Sequence, residues 1–217
     1  MPSGDGGVGP SRAITGCAPG PAVPRLWRMS VESVRTVLRG PRVLLVPLRP
    51  EHAEALVTLR EQPQVRRWWR GVEPGFPLTD DPDSVRWTVL LPAGDRVDAP
   101  EDLTPRGMIQ FSEEDDPDYR HAGLDVFLDP AVIGRGLGRE VVAVLARYLV
   151  TEHGHHRLTI DPAAENAAAI ACYAAVGFRP VGVMRGYERG EDGTFHDGLL
   201  MDALAAELVD PWSLTPR

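Results

Sequence analysis

Hydrophobic and polar positions along the chain follow two periods, one of two residues and one near 3.6, and the order in which they alternate predicts the architecture. Alternating or continuous apolar runs mark strands at "RVLLVPLR" (42–49), "VRWTVLL" (85–91), "RGMIQFSE" (106–113) and "HAGLDVFL" (121–128). Pro50 opens "PEHAEALVTLREQ", which reads as an amphipathic helix. "VRRWWRGVEPGFPLTDDP" (65–82) predicts a loop or broken helix, and 92–105 a connection. From Gly138 to Val150 the apolar residues Val141, Val142, Leu145, Leu149 and Val150 recur at helical spacing. "HRLTI" (156–160) predicts a short strand. "AENAAAIACYAAVGF" predicts a helix that stops at Gly177, the residue expected just past its end. "RPVGVMRGYER" and "FHDGLLMD" complete the pattern as two strands about the turn "GEDG". Strands cluster early and β-α-β-α-β-β follows, which predicts a mixed α/β sheet and shows no internal repeat.

Composition changes this picture in three ways. At 217 residues, with 43% hydrophobic and 25% charged residues, the chain fits one globular domain. The divisions expected are a disordered or overextended tail over 1–38, a domain over 39–204 and a C-terminal tail over 205–217. The opening "MPSGDGGVGPSRAITGCAPGPAVPRLWR" has no apolar signal core, and Met29 is an alternative start. No apolar run approaches the ~20 residues of a membrane span, so the expectation is a soluble, cytoplasmic protein without a membrane partner. A net charge of −8 disfavours nucleic acid as a partner. Cys17 and Cys172, the only two cysteines, make no metal-type spacing or disulfide framework. The acidic excess is local: residues 95–129 carry 11 acids against three arginines. Such a run is either a solvated loop or an attractor for a cationic ligand.

The run "DPAVIGRGLGRE" carries the first candidate chemistry, because Gly134, Gly136 and Gly138 alternate at the mouth of a helix. A dinucleotide-binding fingerprint needs its third glycine at position 139, which is Arg139, and a P-loop needs a lysine, which the chain lacks altogether. What remains is a turn whose backbone N–H groups converge at a helix N-terminus, where the macrodipole favours an anion and Arg135 and Arg139 add charge. The bland alternative is a tight strand-to-helix turn. Asp125 is the second candidate. In "HAGLDVFL", Ala122, Leu124 and Val126 share one face, and Gly123, Asp125 and Phe127 the other. An aspartate inside an apolar strand is costly unless it faces a cleft, where burial would raise its pKa toward that of a useful base.

The turn, together with "TIDPAAENAAAIACYAAVGFRPVG", resembles the GCN5-related N-acetyltransferases over about residues 41–202. The resemblance implies a mostly antiparallel mixed sheet with splayed central strands and flanking helices. It also implies acetyl-CoA as the co-substrate, with no metal. Its pantetheine arm would run along the backbone of Val126, Phe127 and Leu128, and its pyrophosphate would sit on Ile133, Gly134, Arg135, Gly136, Leu137, Gly138 and Arg139. Ile133 departs from the Gln or Arg usual at its place, a small departure where backbone amides make the contacts. The same resemblance makes Tyr173 a general acid and cofactor contact, and Asn166 a contact to the CoA arm. Transfer from a thioester to an amine needs a neutral amine, a stabilised oxyanion and a protonated leaving thiolate, and backbone N–H groups freed near Asp125–Leu128 could serve the second need.

Within that superfamily, "RRWWRG", "GLDVFL", "GRGLG", "TIDPAAENAAAIACYAAVGF" and "EDG" follow in order the pattern of aminoglycoside 6′-N-acetyltransferases. This implies that Asp125 deprotonates or binds the 6′-amine, that Asp161 holds the aminoglycoside and that Trp68 and Trp69 help form the pocket, one of the pair being expected in the core. A polycationic amine needs carboxylates, and Glu73, Glu113, Asp115 and Asp116 are further candidates. Siderophore-pathway lysine acyltransferases, RimJ/RimL-like protein N-terminal acetyltransferases and a non-catalytic acyl-CoA sensor stay open, as does monomer against homodimer. His153, His155 and His156 straddle a helix end and a strand start with no Cys or carboxylate at ligand spacing, so no metal is expected there. Cys172 reads as packing, not as a nucleophile.

Overall fold

A computed structural model of the chain describes residues 36–79, 84–92 and 103–214. The Gly/Pro-rich opening up to residue 35, with Cys17 and Met29, lies outside the described residues. So do 80–83, most of the connection expected at 92–105, and the last three residues.

Eight strands form one sheet: β1 (Leu38–Arg39), β2 (Leu44–Pro47), β3 (Ser84–Pro92), β4 (Leu103–Glu114), β5 (His121–Leu128), β6 (Arg157–Ile160), β7 (Arg179–Arg189) and β8 (Phe195–Leu204). Their order is β1-β2-β3-β4-β5-β6-β8-β7, and every neighbouring pair is antiparallel except β5 and β6. The α-helices among the described residues are α1 (Ala53–Arg60), α2 (Pro63–Trp69), α3 (Leu137–Thr151) and α4 (Ala167–Ala174). The segment read as a loop or broken helix thus begins with a true helix, opened by Pro63, and both tryptophans stand in its last turn.

Strand alternation sorts the core onto two faces of the sheet. Ile109 and Phe111 of β4 and Leu124 of β5 pack with Val141, Val142, Leu145 and Leu149 of α3. Met108 and Phe127 point the other way, toward Leu56, Leu59, Val65 and Phe76 around α1 and α2. Each fully buried aliphatic side chain of this kind stabilises by about 1.5–3 kcal/mol. Glu140 in the first turn of α3 is fully buried and ionic, bonding both the backbone N–H and the Nε of Arg42. An acid there also complements the helix dipole.

The last described segment is not a free tail. Leu208 and Leu214 pack on the α3 core, and the Val209 N–H donates to the Val176 carbonyl at 2.9 Å. This docking explains Gly177 better than helix termination does. Gly177 has φ +114, and a Cβ there would stand 2.3 Å from the Glu207 carbonyl oxygen. Gly177→Ala is therefore expected to destabilise the fold by about 2–4 kcal/mol, read as a lower urea midpoint at unchanged slope.

Candidate active site

The site is organised by an interrupted pairing. β5 is hydrogen-bonded to β4 along its whole length, but it pairs with β6 only from Ala122 to Leu124, opposite Leu158 to Ile160. Beyond Leu124 the two strands diverge, so the β6-facing edge of Asp125–Leu128 is left without a ladder partner among the described residues. Splay of this kind frees backbone N–H and C=O groups that a ligand strand or arm could use. Among them, the Val126 carbonyl accepts from the Trp69 indole Nε1 at 3.2 Å.

A cavity of about 530 Å³ opens at the splay, lined by Asp125, Asp161, Glu188, Trp68, Trp69 and Tyr173 among others. Both tryptophans line it and Trp69 also packs against the core around α1 and α2, so the expected division between core and pocket holds only in part: successive residues of the last turn of α2 flank the opening. Trp69 is also wedged edge-on against Phe127, with ring centroids 5.2 Å apart, and the Arg60 guanidinium lies over both Trp69 and Phe76. Arg60 in turn pairs with Glu73 at 3.0 Å, so Glu73 lines the cavity already partnered by a buried cation.

Asp125 stands opposite Gln110 in the β4–β5 register, and Gln110 Nε2 donates to its Oδ2 at 3.2 Å. Its carboxylate is open to the cavity yet enclosed by the cavity walls. That enclosure pushes its pKa up, the Gln110 hydrogen bond opposes the push, and repulsion from Asp161 and Glu188 adds to it. Asp161, just after β6, is also raised by burial, against a hydrogen bond from Tyr187 that favours the charged form. Glu188 is raised by burial too, with Arg70 at 3.7 Å as its counter-ion. Three carboxylates with raised pKa values facing one cavity form an array that gains by admitting a cation. Tyr173 is buried at the inner wall. Burial first, then Cys172, Asp125 and Asp161, hold its hydroxyl protonated far above neutrality, so it presents an O–H to the cavity. Burial raises the neighbouring Cys172 thiol to about 11, with Arg139 opposing, which disfavours its thiolate at neutral pH.

The glycine turn follows β5 and enters α3. Gly134 and Gly136 adopt φ of +83 and +75, a region open to glycine at little cost, and Gly136 is the residue before the first helical turn. Gly138 serves close packing: a Cβ there would lie 3.2 Å from Cys172 Sγ, so α3 and α4 approach through it. Leu137 and Phe127 are buried side chains, which leaves only their backbone for a ligand; Ile133 and Arg135 are exposed. Asn166 caps α4, its Oδ1 accepting from the Ala169 N–H at 3.1 Å, and it lines the cavity as well. The turn, the splayed strand and Tyr173 together fit an extended ligand with an anionic end and a reactive end.

Three predicted acceptor residues are not brought to this site. Glu113 has the opposite parity to Gln110 on β4, so its side chain leaves the sheet on the α3 face. There its carboxylate accepts from His153 Nδ1 at 2.9 Å and His155 Nε2 at 2.6 Å. Those two hydrogen bonds, against the opposing cost of burial, lower its pKa to about 2. Asp115 and Asp116 are in the exposed β4–β5 loop and do not line the cavity. In their place stand Gln110 and Glu188, which the sequence reading did not name. Gln110 could have been found by pairing "RGMIQFSE" with "HAGLDVFL" antiparallel; Glu188 had no such local signal, because only the docking of β7 beside the cleft gives it a role.

Comparison with known proteins agrees with this geometry. A 75-residue stretch is 33% identical to the aminoglycoside N(6′)-acetyltransferase type 1 of Klebsiella pneumoniae, covering 34% of this chain and 36% of that protein. The chain thus matches about a third of that relative's length. The kanamycin resistance protein of Rhizobium radiobacter is likewise 33% identical over 75 residues, covering 34% of this chain and 68% of that protein. Among solved structures, Mycobacterium smegmatis RimJ in complex with CoA-disulfide superposes with a TM-score of 0.65 at 22% identity, over 82% of this chain and 91% of that one. Residues 42–179 match the acetyltransferase (GNAT) domain model, and the chain belongs to that family.

Proposed function

We propose that the protein is an acetyl-CoA-dependent N-acetyltransferase whose acceptor is the 6′-amine of an aminoglycoside. The observation that carries the acceptor assignment is the convergence of Asp125, Asp161 and Glu188 on one cavity beside the splayed strand. Acetyl-CoA supplies the acetyl group as a thioester when it lies along β5 with its pyrophosphate on the glycine turn. The chain's own residues do the rest. Asp125 takes a proton from the ammonium or the attacking amine, Gln110 orients the carboxylate, free backbone groups of β5 align the carbonyl, and Tyr173 gives its proton to the departing sulfur. Asp161 and Glu188 pair with the acceptor's other ammonium groups.

Room for those groups supports the same reading. The cavity continues into a groove of about 1040 Å³ that shares Trp68, Arg70, Asp161 and Glu188 and adds Glu191 and Asp192 together with Arg66, Arg67 and Arg189. Small amines would leave this groove empty, while a three-ring polycation would use it. A protein N-terminal acceptor is the second reading, favoured by the likeness to RimJ and by the width of that groove.

The test is thiol release from acetyl-CoA with kanamycin, tobramycin, a 6′-hydroxyl aminoglycoside, N-hydroxylysine and an N-terminal peptide. Turnover on the first two alone is expected; turnover only on the peptide or the lysine derivative would discard the aminoglycoside reading. Because Glu188 contacts the acceptor away from the reacting amine, Glu188→Gln is expected to raise KM for kanamycin about tenfold with little change in kcat. Initial rates across acceptor concentration check this.

A further inference from the structure

On the sheet face opposite the cavity, Glu113 of β4 meets His153 and His155 of the connection between α3 and β6. We propose that these three side chains form a binding site for one divalent zinc-class ion, which clips that connection to the end of β4.

Geometry carries the argument. One ligand atom from each of the three residues lies within 4.8 Å of the other two. Both imidazoles address the same carboxylate oxygen, Glu113 Oε1, at 2.9 and 2.6 Å. Tetrahedral zinc with ligands at about 2.0–2.2 Å separates them by about 3.3–3.6 Å, so the two histidine–carboxylate contacts need to lengthen by about 0.4–1.0 Å as the ion replaces the shared protons. Two imidazoles and one carboxylate suit zinc, cobalt or nickel; magnesium and calcium prefer all-oxygen shells.

The ligands are held in place before any ion arrives. The His153 ring is fixed between Phe111 and Tyr148, with centroids 5.4 and 4.9 Å away. Its carbonyl accepts from Arg120 Nη2, and the His155 N–H donates to the Leu149 carbonyl at 3.1 Å. Gly154, at φ +68, reverses the chain between the two histidines so that both rings reach one point. His155 is 1% exposed, and its Nδ1 has no hydrogen-bond partner among the described residues. No group on the far side therefore fixes its tautomer, so Nε2, which hydrogen-bonds Glu113 in this structure, can give up that proton to an ion. Glu113 keeps a side-chain exposure of 26%, which leaves a path from solvent for the ion.

The test uses tag-free full-length protein stripped with a chelator. Zinc titrated against a chromophoric competitor is expected to bind at one equivalent per chain, with Co²⁺ giving the intense visible bands of a tetrahedral site and Mg²⁺ no uptake. Glu113→Gln, at a partly exposed position, and His153→Gln are each expected to weaken zinc binding at least tenfold and to abolish the zinc-dependent rise in Tm. His156→Gln, at the exposed neighbour, is expected to change neither. Absence of one-equivalent uptake by the unaltered protein, or uptake unchanged in Glu113→Gln, would overturn the proposal.

Discussion

Asp125→Asn is expected to lower kcat/KM for an aminoglycoside acceptor by about 10²–10⁴-fold, the usual contribution of a positioned general base. The substitution keeps the side-chain size and a hydrogen-bonding partner for Gln110, so the fold and the Tm should be nearly unchanged. The pH profile makes the assignment specific. Burial and the facing carboxylates raise the Asp125 pKa. A base must be ionised to act, so activity is lost as pH falls through that raised value. The acid limb of kcat/KM should therefore lie above the ordinary aspartate value in the unaltered enzyme and disappear in Asp125→Asn, leaving only the titration of the amine itself. A mutant that retains both the rate and the acid limb would remove Asp125 from the chemistry.

Tyr173→Phe is the second large effect, expected at about 10²-fold in kcat with KM for the acceptor little changed. In the proposed mechanism the hydroxyl acts on the leaving sulfur, so its loss should be felt in the transition state and not in acceptor binding. A leaving thiol of lower pKa needs less protonation, so an activated acetyl thioester should recover part of the lost rate in the phenylalanine variant. Equal losses with both donors would instead indicate a packing role, which is the other use a buried aromatic on α4 can have.

How much of this was legible in the sequence depended on whether the relevant contact was local. The strand "HAGLDVFL" is β5 to the residue, and the two faces read from its alternation are the two core faces observed. The glycine turn opens α3 as expected, since φ above zero and close helix approach are local demands that only glycine meets cheaply. Where pairing partners mattered, the sequence was silent or misleading. Glu113 looked like part of an acidic attractor; one step of strand parity sends it to the opposite face, where a carboxylate 40 residues from His153 meets two histidines that seemed to lack one. Trp68 and Trp69 were expected to divide between core and pocket. Both border the cavity from the last turn of α2, Trp69 while also packing against the core, which no pattern in "RRWW" reveals.

Regiochemistry tests the central claim most directly. Kanamycin incubated with the protein and acetyl-CoA should yield one monoacetylated product, and two-dimensional NMR should place the new amide on the 6′-nitrogen. That outcome joins the GNAT fold to the carboxylate cavity as an aminoglycoside 6′-N-acetyltransferase. Acetylation at another amine, or none on kanamycin while a peptide N-terminus is acetylated, would contradict the acceptor assignment while leaving the family intact.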